Sequence, residues 1–282
     1  MSSISLIKIK EDRGVTLVEL MIALMMSGIL IAALYRTFIG QQKTYTVQEQ
    51  VADMQQNARA AIGKMMRDIR MAGFGNVSYV LSLAGGVNGF TQVITPGTNT
   101  ITIVGGFKQI RRDNGGPILV SSSSGNQLVL NYATDEFYPD KGAAQKFISI
   151  GGFDSNTVQS RSTATLTLNK PPNPTLPIPT GTPIFKIQAI TYAIYVSDGK
   201  PTLGRDENTG GGLQPLAENI ENVLFEYFDA NGIPTNTPSD IRMVRVTVTA
   251  RTDVLDPQMK GGDGYRRRQI ASNIYLRNMG SL

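Results

Sequence analysis

The sequence predicts an α+β chain: a long N-terminal helix packed on a C-terminal domain of mostly antiparallel β-sheet. Three observations predict it. No proline occurs before Pro96, so nothing ahead of it forbids one continuous helix. A mostly apolar run from Val15 to Tyr35 passes into a stripe in which Val47, Val51, Met54, Ala58, Ala61 and Met65 recur at spacings of three and four. From about Asn76 onward, short apolar or alternating runs are separated by turns rich in Gly, Pro and Asn. The expected divisions are a leader over 1–14, a hydrophobic helix over 15–35, an amphipathic helix over 36–75 and a β-rich globular domain over 76–282.

The leader ends in Lys8-Ile9-Lys10-Glu11-Asp12-Arg13-Gly14. At 1.5 Å per residue, a helix over Val15–Tyr35 is roughly 30 Å long, enough to cross the hydrocarbon core of a bilayer. Lys8, Lys10 and Arg13 precede it, which places the N-terminus in the cytoplasm by the positive-inside rule. An ordinary secretory signal is cut behind its apolar stretch. Here Gly14 lies in front of it, and a cut there leaves the apolar segment as the new N-terminus. Glu19 stands inside that segment. An ionisable group at the centre of a membrane helix costs about 2.5–3.5 kcal/mol, less near the helix end, so the carboxylate asks for a partner.

The run Arg13-Gly14-Val15-Thr16-Leu17-Val18-Glu19-Leu20-Met21-Ile22-Ala23-Leu24 resembles the class III, prepilin-type signal: a basic leader, Gly before the cut, then T-L-x-E-L/M. Val15 departs mildly from the commoner Phe. The resemblance implies cleavage after Gly14 by a membrane prepilin peptidase, methylation of Val15, and pairing of Glu19 with the N-terminal amine of a neighbouring subunit. It implies a subunit held in the bacterial inner membrane before assembly and at the cell surface, in a pilus, afterwards.

Beyond Tyr35 the stripe, with Ile62 and Ile69 beside it, is expected to pack on the chain's own sheet; a coiled-coil seam is the alternative. Arg67 and Arg70 suit a helix C-terminus and Gly73 its cap, giving a helix from about Val15 to Ala72. Gly28 and Gly40 are weak points in it. The segments Gln55-Gln56-Asn57-Ala58-Arg59 and Arg67-Asp68-Ile69-Arg70-Met71-Ala72-Gly73-Phe74 resemble the minor pilin family called PilW. Asn219–Tyr227 and the ending from Tyr265 to Asn278 resemble it more weakly. That likeness implies a part in pilus assembly or priming beside other minor pilins and the major pilin. Two alternatives share the N-terminal signal: a minor pseudopilin of a type II secretion system, and a pilus-tip adhesin using the Ser121-Ser122-Ser123-Ser124-Gly125 and Pro-rich loops.

In the C-terminal part, strands are expected at Ile101–Val104, Ile118–Val120, Gln127–Tyr132, Ala164–Leu168, Ile184–Val196 and Val223–Phe228. The last two are Val244–Ala250 and Ile270–Leu276. Val244, Val246, Val248 and Ala250 alternate with Arg245, Thr247, Thr249 and Arg251, the pattern of a half-buried strand. Lys170–Pro183 reads as an extended surface loop, Gly204–Gly212 as a flexible tip, and Asp229-Ala230-Asn231-Gly232 as a hairpin turn rather than a calcium site.

Composition narrows the chemistry. Cysteine and histidine are absent, which excludes a disulfide framework, a thiolate nucleophile and His-based triads or zinc sites. No nucleophile constellation, metal spacing or phosphate loop appears, so no enzyme activity, catalytic residue, metal or cofactor is expected. The formal charge is +5, from 27 basic and 22 acidic residues, and falls to +4 without the leader. That small excess, with Arg266-Arg267-Arg268 as its densest run, argues against DNA as a partner.

Overall fold

The computed structural model describes residues 15–137, 146–173, 178–256, 259 and 261–279. Gly14 and the leader charges lie outside the described residues, as do Pro174 and Pro177. The chain divides into two compact units, one up to Gln50 and one from Val51 onward.

Helix α1 runs from Leu17 to Arg70, close to the expected bounds, with Glu19 in its first turn and Arg67 and Arg70 in its last. Its part in the first unit is the apolar segment, whose side chains are exposed from Val15 through Phe38. Its part in the second unit carries the buried stripe: Met54, Ala58, Ala61, Ile62, Met65 and Ile69. These side chains join one core with Ile101, Ile103, Ile187, Ile190, Tyr192, Val223, Val244, Val246 and Val248. The stripe therefore packs on the chain's own strands, as the spacing predicts. Val51–Arg70 groups with the strands in the second compact unit, whose core is incomplete without the stripe.

After a short helix, α2 (Ser78–Ser82), thirteen strands follow among the described residues. They are β1 (Ile94–Pro96), β2 (Ile101–Gln109), β3 (Val120–Ser124), β4 (Gln127–Leu130), β5 (Phe147–Ile150), β6 (Asp154–Ser162) and β7 (Thr165–Leu168). Then come β8 (Ile184–Ser197), β9 (Lys200–Asp206), β10 (Gln214–Glu218), β11 (Ile220–Phe228), β12 (Met243–Arg251) and β13 (Arg267–Tyr275). The larger sheet has the order β1-β2-β8-β5-β6-β7-β4-β3, with β9 on β8 and β10 on β9. The smaller is β11-β12-β13. Every pairing is antiparallel.

β8 is the hinge of this arrangement. Its fourteen residues pair with β2 and β5 along one stretch and with β9 along the other. That explains why its sequence is apolar on both parities. β12 buries Val244, Val246, Val248 and Ala250 and leaves the intervening positions half-buried, the alternation its sequence carries. A second core, built around Ile110, Leu128, Phe137, Ile148, Val158 and Leu166, lies beneath β3, β4, β6 and β7.

Several expectations are corrected. β1, β5, β6, β9 and β10 lie outside the strands that the sequence predicts, and β3 covers Val120–Ser124 rather than Ile118–Val120. β13 starts at Arg267 and ends at Tyr275. Gly204 is part of β9, not of a flexible tip: a Cβ there would meet the Tyr195 ring at 2.8 Å and Leu213 at 3.0 Å, so close packing requires glycine.

Candidate assembly segment

At the N-terminus of α1 the backbone and side chains of Thr16 and Glu19 engage each other. The Thr16 Oγ1 accepts the Glu19 N–H at 3.2 Å, and Glu19 Oε2 accepts the Thr16 N–H at 3.5 Å. The Thr16 carbonyl takes the Leu20 N–H at 3.1 Å, the first turn of the helix. Thr16-Leu17-Val18-Glu19 is thus a capping box, in which two N-terminal donors find reciprocal acceptors. Leu17, Val18, Leu20, Met21 and Ile22 surround it and are all exposed. The carboxylate stands at the positive end of the helix dipole, the favourable end for an anion. Sequence inspection marked Glu19 for its cost in the apolar run; the local partner, Thr16, is a feature it missed, although S/T-x-x-E is a legible signal.

Of the expected site residues, the structure places Val15 and Glu19 at this end, both exposed, and Gly14 lies outside the described residues. The helix Leu17–Arg70 is long and apolar enough in its N-terminal part to cross a membrane, and none of its most apolar 18-residue window is buried within the chain. A face of that kind is stable only in lipid or against other helices.

At the other end of α1, Asp68 is 6% exposed and sits at the centre of a polar cluster that sequence reading missed. Its carboxylate accepts Tyr192 Oη at 2.7 Å, Arg205 Nε at 3.1 Å and Lys64 Nζ at 2.9 Å. Arg205 in turn reaches Glu207 at 2.7 Å, and Glu207 accepts Gln188 Nε2 at 2.8 Å. Burial, reinforced by the neighbouring Asp68 charge, pushes the Tyr192 phenol well above its usual range. The cluster ties the last turns of α1 to β8 and β9.

The turn after the helix is set by close approach. Gly73, at φ 75°, donates its N–H to the Val104 carbonyl at 2.8 Å. It is left-handed as a cap residue should be, but its hydrogen bond goes to β2. The orphan carbonyls of Arg70 and Ala72 are met instead by Asn278 Nδ2, at 3.4 and 3.3 Å. Phe74 then packs edge-on against Phe185, ring centroids 5.0 Å apart.

The remaining candidates resolve as follows. Arg266 pairs with Asp256 at 2.6 Å, and Arg267 with Glu221 at 2.6 Å and with Asp263. Two members of the arginine run are thus already neutralised, which shrinks the basic footprint further. Asp229 Oδ1 accepts the N–H groups of Asn231 and Ile233, both at 2.8 Å, so the carboxylate closes a hairpin loop. Among the described residues no group of three or more acidic side chains could hold a metal ion.

Comparison with known protein families matches the prokaryotic N-terminal methylation motif to residues 9–35. The match covers the capping box and the apolar segment, and it supports a type IV pilin-like or pseudopilin-like protein anchored in the inner membrane. No curated protein and no solved structure matches the chain.

Proposed function

We propose that the chain is a minor pilin of a type IV pilus, cut after Gly14, methylated on Val15, and built into the filament through α1. The observation that carries this is the coincidence of the methylation motif with an exposed apolar segment of α1 bearing one carboxylate, Glu19, at its N-terminal end. In the bilayer the capping box gives Glu19 a partner within its own chain. In a filament, the ammonium of a neighbour's Val15 offers a stronger, charge-assisted partner in the same dry surroundings. The apolar face moves from lipid to other helices, and the β-rich unit selects which subunits sit beside it. No catalytic step belongs to this role; the peptidase supplies the cut.

The test is the intact mass of the full chain with and without a co-expressed prepilin peptidase, together with recovery in sheared filaments. Loss of residues 1–14 is expected, abolished by Gly14→Trp. Glu19→Gln keeps a capping acceptor but loses the charge, so it is expected to be cut normally and to fall out of filaments. An uncut chain, where a control pilin is processed, overturns the reading. Recovery with a secretion pseudopilus instead of a pilus favours the type II alternative, which shares the same N-terminal chemistry.

A further inference from the structure

The small sheet has two faces of different character. On β11 and β12 one face turns Val223, Phe225, Val244, Val246 and Val248 into the core. The register stacks the other face in rows across the three strands. Phe228, Met243 and Tyr275 form one row, and Glu226, Arg245 and Asn273 the next. At about 4.8 Å between strands, each row is about 10 Å long. This face is solvated: Tyr275 is 67% exposed, and the Arg245 and Glu226 side chains are 41% and 42% exposed.

Arg245 is held from three sides. Its Nε donates to Asn273 Oδ1 at 3.0 Å, its Nη1 lies 3.8 Å from Glu226 Oε2, and its guanidinium stands 5.1 Å from the centre of the Phe228 ring. These contacts fix the planar fork and leave N–H donors over for a ligand. Beside the guanidinium a trough of about 500 Å³ runs along β11, between Leu224 and Phe228 on one side and the 234–236 loop on the other. That volume suits a small ligand.

Three observations define the ligand's chemistry. Among the described residues lining the trough only Arg245 and Glu226 are charged, and they cancel, so neither an anion nor a cation is favoured there. The outer edge of β11 is closed: the Thr98 carbonyl takes the Phe225 N–H, Asn99 Nδ2 donates to the Val223 carbonyl, and the Thr235 N–H to that of Tyr227. A peptide therefore cannot add there as a strand. Finally, apolar surface from Leu224, Phe228 and Pro234 lies beside polar groups of Glu226, Asn236 and Arg245. A pyranose ring has the same division, an apolar face of C–H groups and a rim of hydroxyls. We propose that this face binds a neutral carbohydrate. One ring lies in the trough on Leu224 and Phe228, where Arg245 donates to its hydroxyls and Glu226 accepts from them. The row from Phe228 across Met243 to Tyr275 has the length of a disaccharide, so a second ring stacks on the exposed Tyr275. The site lies within the unit from Val51 onward and goes beyond the assembly role.

The test is saturation-transfer NMR on the full chain in a detergent without a sugar headgroup, with maltose, cellobiose and lactose as probes. Transfer to at least one disaccharide is expected, and inorganic phosphate is expected not to compete. Arg245→Gln removes the charged donor and is expected to raise Kd about tenfold. Tyr275→Ala removes the outer platform and is expected to raise it about fivefold. Should Arg245→Gln fail to fold, Tyr275→Ala decides, because that side chain is exposed and its loss takes nothing from the core. Tyr132 is the matched control: it is 53% exposed and lies 4.7 Å from the Arg112 guanidinium, outside this sheet, so Tyr132→Ala is expected to leave Kd unchanged. No transfer to any of the three probes overturns the proposal. So does transfer that survives the face substitutions, that Tyr132→Ala abolishes, or that phosphate displaces.

Discussion

Thr16 and Glu19 show how one residue is made tolerable in two settings. A carboxylate in an apolar helix is expensive only while unpaired. At the third helical position it reaches back to the Thr16 N–H, a donor that the helix would otherwise leave unsatisfied. Asp68 solves the same problem at the other end of α1 with three donors, and there the solution is permanent. Asp68→Asn leaves Arg205 and Lys64 without their shared carboxylate in a mostly dry site and is expected to destabilise the β-rich unit by about 2–4 kcal/mol. Tyr192→Phe removes one neutral donor and is expected to cost about 1 kcal/mol. The pH signature separates the two further. The folded-state phenol of Tyr192 titrates well above its unfolded value, so its contribution is full below about pH 10 and is lost as pH rises beyond that. Urea melts between pH 7 and 11 are expected to show a smaller alkaline loss in Tyr192→Phe than in the parent. An equal loss would show that Tyr192 is not the group that titrates.

At the scale of the element, one substitution has opposite signs at two glycines. A Cβ on Gly28, within α1, meets nothing within 4 Å, so Gly28→Ala only removes backbone freedom and is expected to stabilise the helix by about 1 kcal/mol. A Cβ on Gly105, in β2, falls 2.6 Å from the Met71 carbonyl oxygen in the turn after α1. Backbone must move there, and Gly105→Ala is expected to destabilise by about 1–3 kcal/mol. Circular dichroism of the full chain in detergent reads the first change and the melting transition of the β-rich unit reads the second. α1 is continuous through Gly28 in the single chain. If packing in a filament loosens the helix at Gly28, Gly28→Ala reduces incorporation while leaving cleavage intact; a filament map with unbroken helical bonds through Gly28 would remove that idea.

For the whole molecule, what was legible in the sequence is what depends on local periodicity. The membrane segment, the stripe from Met54 to Ile69 and the alternation of β12 could all be read because each declares its face by spacing alone. β6 and β9 could not: Asp154–Ser162 and Lys200–Asp206 are polar or Gly-bearing strands whose pairing comes from β5, β7 and β8. Asp68 looked like one more charge near a helix end, because its donors Tyr192 and Arg205 lie 124 and 137 residues away. The same dependence on distant strands decides where the chain can be divided. Sequence places the boundary at residue 75/76, where strand character begins, whereas Met54, Ala58, Ala61, Met65 and Ile69 are core residues of the β-rich unit. A fragment starting at Val51 keeps that core and discards the exposed apolar segment, so it is expected to be soluble and to melt in one cooperative transition. A fragment starting at Asn76 loses these side chains, with Ile62 and Ala72, and bares the apolar faces they cover. At roughly 1–3 kcal/mol for each buried apolar side chain, against a total stability of about 5–15 kcal/mol, it is expected not to fold. Expression of the two fragments side by side, with melting followed by circular dichroism, decides between the boundaries: a cooperative melt from the shorter fragment would return the helix to the N-terminal unit.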